Sequence, residues 1–103
     1  MPTYSYGASK AAVHHLTRTL SAHLAARHIT ANAIAPGPFP SKMMAHTLNT
    51  RGDEIRAGVP LGRIGEPSDM AGTAIFLASR AGAYVSGAVI PVDGGIVASA
   101  RTL

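Results

Sequence analysis

The chain has 103 residues, of which 47% are hydrophobic and 14% charged, and its formal net charge is +4. That length suits one small domain or part of a larger one, and no apolar run reaches the ~18 residues of a membrane span. The lack of cysteine excludes disulfides and thiolate metal sites. The amino terminus has no basic segment followed by an apolar one, so we expect no signal peptide, no membrane partner and a cytoplasmic location.

The basic residues are spread along the chain and form no run. Nucleic-acid-binding surfaces are usually clustered basic stripes with aromatic residues among them, so no nucleic-acid partner is predicted. The five histidines include no pair spaced as ligands on one helix face and have no carboxylate among them. No metal site is predicted either.

Tyr6 and Lys10 stand four residues apart at the head of a helical pattern. On a helix this spacing puts both side chains on one face, one turn apart. A cation so close favours the phenolate, so it should lower the tyrosine pKa from about 10 towards neutrality, where general acid–base groups work best. The spacing alone leaves an alternative, in which a helix-start tyrosine and a solvated lysine never meet.

Residues 8–27 are predicted to form one amphipathic helix. Large apolar side chains recur at spacings of three and four, as on a helix face buried against a core. The members of this stripe are Val13, Leu16, Leu20 and Leu24. Because alanines widen the apolar surface, we expect one side of the helix to pack on a sheet and another on a partner.

A short apolar run, residues 29–35, is stopped by Pro36-Gly37 and predicts a strand buried on both faces of a parallel sheet. Asn32, a polar residue within the run, is expected to tie a strand end to neighbouring backbone. Three prolines within residues 36–40 predict a stiff turn at the carboxyl end of the strand. Open parallel sheets bind ligands at that edge.

The remainder of the chain predicts a second helix and a second strand. Ser41 can cap a short helix over residues 41–45, and the irregular, polar stretch that continues to Gly65 is either a lid or a plain surface excursion. The second helix opens at residues 65–69 and ends near residues 79–82. The second buried strand covers residues 88–92, and an Asp-Gly-Gly turn follows it. Residues 96–103 receive no assignment.

Three motifs occur in order: Tyr-x-x-x-Lys at the head of a helix, Asn-Ala-Ile-Ala-Pro-Gly at the end of a strand, and Val-Asp-Gly-Gly at the end of the last strand. Together they resemble the carboxyl-terminal half of the short-chain dehydrogenase/reductase family over residues 4–95. The turn at residues 36–41 is most similar to that of 3-oxoacyl-thioester reductases, including rhamnolipid-type members. The resemblance implies an α/β fold, namely the carboxyl-terminal part of a Rossmann-type doubly wound parallel sheet. Its order would be helix, strand, helix, strand, with residues 1–103 forming one segment of a single domain.

The resemblance also assigns roles to individual residues. Tyr6 would be the general acid that protonates the carbonyl oxygen, and Lys10 would lower the pKa of Tyr6 and hydrogen-bond the nicotinamide ribose.

Four further residues would bind the cofactor. Pro36 and Gly37 would line the nicotinamide pocket, while the backbone of Phe39 and the side chain of Ser41 would hold the carboxamide.

The implied activity is that of an NAD(P)-dependent oxidoreductase, with a slight preference for NADP, acting on a small carbonyl compound or secondary alcohol such as a 3-oxoacyl thioester. The first helix would build a homo-oligomer, either a dimer or a tetramer. The family's glycine-rich phosphate loop and upstream catalytic serine have no counterpart in this sequence, so we interpret the chain as a fragment that is inactive on its own. The alternative is a non-catalytic, truncated module that pairs with full-length subunits through its long helix.

Overall fold

A computed structural model describes residues 4–100, except for the side chains of Tyr6, Met43 and Ala100. The elements in chain order are α1 (Tyr4–Leu24), a 3₁₀ turn (Ala25–Arg27), β1 (Ala33–Pro36), α2 (Lys42–Ala57), α3 (Pro67–Ala78), a second 3₁₀ turn (Arg80–Gly82), β2 (Val89–Val92) and α4 (Ile96–Ala100). They belong to two compact units: a first unit of Met1–Ala33 and Phe76–Ile90, and a second unit of Ile34–Ile75 and Pro91–Leu103.

The two strands are neighbours in a two-stranded sheet. In the first unit, the N–H of Ala33 donates to the carbonyl of Ala88 at 2.9 Å, and in the second unit the N–H of Gly37 donates to the carbonyl of Val92 at 2.9 Å. Both strands advance in the same direction from one bond to the other, so the pairing is parallel. The predicted helix, strand, helix and strand are found in that order as α1, β1, α3 and β2, and the structure adds α2 beyond its predicted first turn and α4.

β1 is shorter than the predicted strand of residues 29–35, because an asparagine side chain replaces ladder bonds at its start. The amide of Asn32 donates to the carbonyl of Val85 at 2.9 Å, and its side-chain oxygen accepts from the N–H of Ala88 at 3.0 Å. The expectation that Asn32 ties a strand end to neighbouring backbone is confirmed. Residues 29–32 are therefore not strand.

α1 starts at Tyr4, earlier than the predicted residue 8, and a 3₁₀ turn completes it. The expected burial of its leucine stripe is wrong for the described chain: Val13 is 51% exposed and Leu16 is 53% exposed. A helix of 21 residues is about 30 Å long, and strands of four residues reach only about 13 Å, which is too short to cover it. Among the helices of residues 4–100, none has the length and apolar character needed to cross a membrane.

The stretch that was predicted to be irregular after residue 45 contains most of α2. Ser41 caps this helix, as expected, because its hydroxyl accepts from the N–H of Met44 at 3.1 Å. The helix bends at Arg51, whose φ of −132° is not helical, and an ion pair of 2.9 Å joins Arg51 to Glu54 beyond the bend. Charged residues thus lie on a solvated helix rather than in a loop.

Candidate active site

The predicted catalytic pair lies on α1, in the first unit. Tyr6 and Lys10 both fall within the continuous helix Tyr4–Leu24, so the backbone places them one turn apart on one face. The side chain of Tyr6 lies outside the described residues, and its distance from the Lys10 ammonium remains a prediction. Lys10 itself is exposed.

The predicted nicotinamide pocket begins in the second unit, where β1 ends at Pro36. A Cβ built on Gly37 would lie 2.7 Å from the Cβ and 2.8 Å from the Cα of Asp93. Carbon atoms do not approach so closely without overlap, so only a glycine fits here. Gly37 therefore brings the backbone that follows β1 into direct contact with the backbone that follows β2.

The next predicted residue, Phe39, is half-buried and contacts a segment that returns from α2. The N–H of Gly65 in that segment donates to the carbonyl of Pro38 at 3.0 Å. A Cβ on Gly65 would lie 2.7 Å from Cε2 of Phe39 and nearer still to Cε1 and Cζ, so the ring rests on bare glycine backbone. Two contacts thus locate this part of the turn: the hydrogen bond from Gly65 to the carbonyl of Pro38, and the seat of the Phe39 ring on Gly65.

Ser41 was predicted to bind the carboxamide and is also the cap of α2. Its oxygen already accepts the N–H of Met44, so the hydroxyl proton is the part that can be donated to a ligand. One hydroxyl can therefore act as both helix cap and ligand donor.

At the end of β2, Asp93 organises the turn that meets Gly37. Its two carboxylate oxygens accept the N–H of Gly95 at 2.9 Å and that of Val97 at 3.1 Å. These backbone hydrogen bonds, first that of Val97 and then that of Gly95, lower the pKa of Asp93. The sequence reasoning treated Asp93 as turn chemistry only. The sequence signal that Asp93 also caps a helix was the apolar run that starts three residues later, which is typical of a helix cap.

Arg63 and Asp69 form an ion pair across the turn that precedes α3. Nη1 of Arg63 donates to Oδ2 of Asp69 at 2.8 Å, and Nη2 donates to Oδ1 at 3.1 Å. Oδ2 also accepts the N–H of Glu66 at 2.7 Å. The Arg63 hydrogen bond, followed by that of Glu66, lowers the pKa of Asp69 to about 2, and the pKa of Arg63 is raised. The sequence reasoning missed this pair, although an arginine and an aspartate flanking Gly-Glu-Pro were its signal.

Phe39, Asp93 and the Arg63–Asp69 ion pair line a cleft of about 190 Å³ within the second unit. Its walls are the Pro38-Phe39 turn, Leu61, Arg63 and Gly65 of the returning segment, Asp69 of α3, and the end of β2 from Pro91 to Gly94. Ligand pockets usually measure at least about 300 Å³, so this cleft suits one small group of a ligand. Among the described residues, no group of three or more His, Cys, Asp or Glu could hold a metal ion.

Comparisons with known proteins match this chain over nearly its whole length. The family model described as enoyl-(acyl carrier protein) reductase matches residues 1–97. The rhamnolipids biosynthesis 3-oxoacyl-[acyl-carrier-protein] reductase of Pseudomonas aeruginosa is 51% identical over 94 residues, covering 89% of this chain and 37% of that protein. Galactitol 2-dehydrogenase (L-tagatose-forming) of Cereibacter sphaeroides is 47% identical over 94 residues, covering 88% of this chain and 37% of that protein.

Solved structures show the same similarity. The Pseudomonas aeruginosa RhlG/NADP active-site complex superposes with a TM-score of 0.85 at 49% identity, covering 93% of this chain and 40% of that chain. A putative gluconate 5-dehydrogenase from Beutenbergia cavernae with bound NADP gives a TM-score of 0.81 at 46% identity, covering 90% of this chain and 38% of that chain. The chain thus spans about 37% of the length of these curated relatives. The predicted fold class, part of a Rossmann-type α/β sheet, is confirmed, and the chain belongs to the short-chain dehydrogenase/reductase family.

Proposed function

We propose that this chain supplies the catalytic pair and the nicotinamide-binding turn of an NAD(P)-dependent oxidoreductase. The reaction would transfer hydride between nicotinamide and a carbonyl or secondary alcohol. The observation that carries the proposal is the backbone placement of Tyr6 and Lys10 one turn apart on α1, which an acid–cation pair requires. Residues 1–103 would form the carboxyl-terminal segment of a single Rossmann-type domain.

In this mechanism Tyr6 donates its phenolic proton to the carbonyl oxygen of the substrate. The Lys10 ammonium stabilises the phenolate that remains, and so lowers the energy of the proton transfer. The cofactor supplies the hydride. Lys10 would also donate a hydrogen bond to the nicotinamide ribose, so that one ammonium would serve both cofactor binding and proton transfer.

The nicotinamide end of the cofactor would bind at the turn that follows β1. Pro36 and Gly37 would line its pocket at the carboxyl ends of the parallel strands, where open sheets bind ligands. A carboxamide needs a donor for its oxygen and an acceptor for its amide. The unused hydroxyl proton of Ser41 and the backbone of Phe39 are suitable partners. Either NAD or NADP would be bound here, and we favour NADP because solved relatives carry it.

We propose a 3-oxoacyl thioester as the substrate class, since the Pseudomonas aeruginosa relative at 51% identity is a 3-oxoacyl-[acyl-carrier-protein] reductase. A polyol or sugar alcohol is the competing substrate class, because galactitol 2-dehydrogenase is 47% identical. A homo-oligomer built on α1 accompanies either substrate. Its support is the exposed apolar stripe of that helix.

The same stripe favours a second candidate function, a non-catalytic module that pairs with full-length subunits. Leu16 is 53% exposed and Leu20 is 40% exposed, which leaves an apolar helix face open to a partner. This function needs α1 but neither Tyr6 nor Lys10, so loss of the tyrosine hydroxyl distinguishes the two candidates.

The test is cofactor-dependent turnover by the native protein that carries this sequence. NADPH and NADH oxidation would be followed with a 3-oxoacyl thioester and with a ketose as substrates. Tyr6→Phe should lower turnover by at least about 10²-fold, the usual contribution of a general acid. Tyr4→Phe, at an 87% exposed position two residues away, is the matched control and should leave turnover unchanged. Equal activities of the two variants, or no turnover with any substrate, would contradict the proposed oxidoreductase activity and favour the non-catalytic module.

A further inference from the structure

We propose that Gly65 is a positioning residue for the nicotinamide: its missing side chain makes the seat of the Phe39 ring and so sets where the Phe39 backbone lies. The inference rests on the proposed function, which gives that backbone to the carboxamide. Gly65 itself would touch no reacting atom.

Position 65 needs a glycine to leave room for the Phe39 ring, and not because of its backbone conformation. The glycines with a left-handed φ are Gly62, Gly87, Gly94 and Gly95. Gly65 is absent from this set, so its backbone angles do not demand glycine. A Cβ there would nonetheless overlap three atoms of the Phe39 ring, of which Cε2 at 2.7 Å is the farthest. Room for the ring is therefore the reason for glycine at this position.

Gly65 belongs to a segment that is held by interactions on both sides. On one side, its N–H donates to the carbonyl of Pro38 at 3.0 Å. On the other side, the ion pair of Arg63 with Asp69, at 2.8 and 3.1 Å, closes the turn that contains it. A seat held at both ends resists retreat from a new methyl group, so the Phe39 ring must move instead, and we expect the attached backbone to follow it.

The contact between Phe39 and Gly65 joins residues that are far apart in the sequence. Phe39 precedes α2 and Gly65 follows it, so the contact closes the base of the whole α2 excursion. A shift at this base displaces the turn from Pro38 to Ser41. Small misplacements of a binding group are costly, about 10²-fold in rate for 1 Å.

The experiment measures NADPH affinity by fluorescence titration and the steady-state constants of the native protein that carries this sequence. Gly65→Ala should raise the Kd and the KM for NADPH about tenfold, which is the size of coupling expected between residues in contact. The KM for the carbonyl substrate should change much less. Gly72→Ala is the matched control, because a Cβ there meets nothing within 4 Å, and it should bind NADPH as the unmodified protein does.

Rescue separates positioning from general loss of structure. In a Phe39→Leu background the shorter side chain leaves room for the methyl group, so adding Gly65→Ala should change the Kd by less than about threefold. If Gly65→Ala does not fold, Phe39→Leu alone carries the test and should weaken NADPH binding. The inference would be overturned by an unchanged Kd for NADPH in Gly65→Ala, or by an equal effect of Gly65→Ala with Phe39 and with Leu at position 39. If Gly65→Ala does not fold, an unchanged Kd for NADPH in Phe39→Leu would overturn it. Failure of the unmodified protein to bind NADPH would instead refute the proposed function.

Discussion

Gly37 and Asp93 meet at the carboxyl ends of the two parallel strands, so closely that a Cβ on Gly37 would lie 2.7 Å from the Cβ of Asp93. One backbone hydrogen bond, from Gly37 to Val92 at 2.9 Å, keeps the two ends in register. Asp93 is fixed in turn by its bonds to the start of α4. The edge where we place the nicotinamide is therefore a packed junction of two turns.

Gly37→Ala should destabilise the fold by about 1–3 kcal/mol, the usual cost of forcing a methyl group into a packed contact. The obstructing atoms are the Cα and Cβ of Asp93, which cannot turn aside as a flexible side chain would. Urea unfolding measures the change. Gly72→Ala is the control, and it should be neutral or stabilising by up to about 1 kcal/mol, because alanine favours helix. Equal stabilities of the two variants would contradict the packed junction.

Asn32→Ala should lower the free energy of unfolding by about 1–3 kcal/mol, since it leaves the carbonyl of Val85 and the N–H of Ala88 without their partner. Asn32→Asp should also lose stability, because a carboxylate can still accept from Ala88 but places its second oxygen against the carbonyl of Val85. Asn49→Ala, at an exposed position of α2, is the control and should stay within about 0.5 kcal/mol of the unmodified chain. Equal losses at both asparagines would argue against the bridging role.

Stability should fall in acid through Asp69. Its pKa in the fold is about 2, below the ordinary value of 3.8, so the folded state favours the carboxylate. The stabilisation of the fold by the Asp69 carboxylate is complete above about pH 4 and is lost as the pH falls through about 2. The lowered pKa of Asp93 adds to the loss in the same direction. Urea unfolding between pH 2 and pH 6 should show a shallower pH dependence in Asp69→Asn than in the unmodified chain. An unchanged slope in Asp69→Asn would count against the ion pair with Arg63.

The parallel pairing, α1 and α3 were predictable because periodicity and turn residues agree there. The continuation of α2 beyond residue 45 was missed because its sequence combines poor helix formers, Asn49-Thr50 and Gly52, with a dense set of charges. The structure shows how this is tolerated: the helix bends at Arg51, and Gly52 is buried where a Cβ would crowd the Arg56 guanidinium at 3.2 Å. Apolar Met44, Leu48 and Ile55, which lie on one side, were the signal.

At the candidate site, the sequence predicts residues next to a strand end but not their long-range contacts. Pro36, Gly37, Phe39 and Ser41 could be proposed because the turn that follows β1 resembles that of a known family. The contact of Phe39 with Gly65 joins two positions separated by α2, and no local pattern encodes such a pair. The leucine stripe of α1 was identified correctly as apolar, but its exposure depends on what covers it, which periodicity does not specify.

Leu16→Glu should weaken self-association of the native protein that carries this sequence. Leu16 is 53% exposed on α1, and a charge there would be costly to bury in a helix–helix interface. Sedimentation velocity should show a shift towards the monomer. Arg18→Gln, also exposed on α1, changes the charge by the same amount and should leave the sedimentation coefficient unaltered. An unaltered oligomer in Leu16→Glu would exclude this face as the interface.

Lys10→Met tests whether one ammonium serves both the tyrosine and the cofactor. The methionine keeps much of the length and packing of the stem but removes the charge, so Tyr6 should regain an ordinary phenol pKa near 10. The pH–rate profile should then shift to higher pH, and the Kd for NADPH should rise, because the ribose loses a hydrogen bond. Arg18→Met, which removes another exposed cation of the same helix, should change neither quantity. A raised Kd for NADPH with an unshifted pH–rate profile would restrict Lys10 to cofactor binding. Another group would then have to lower the pKa of Tyr6.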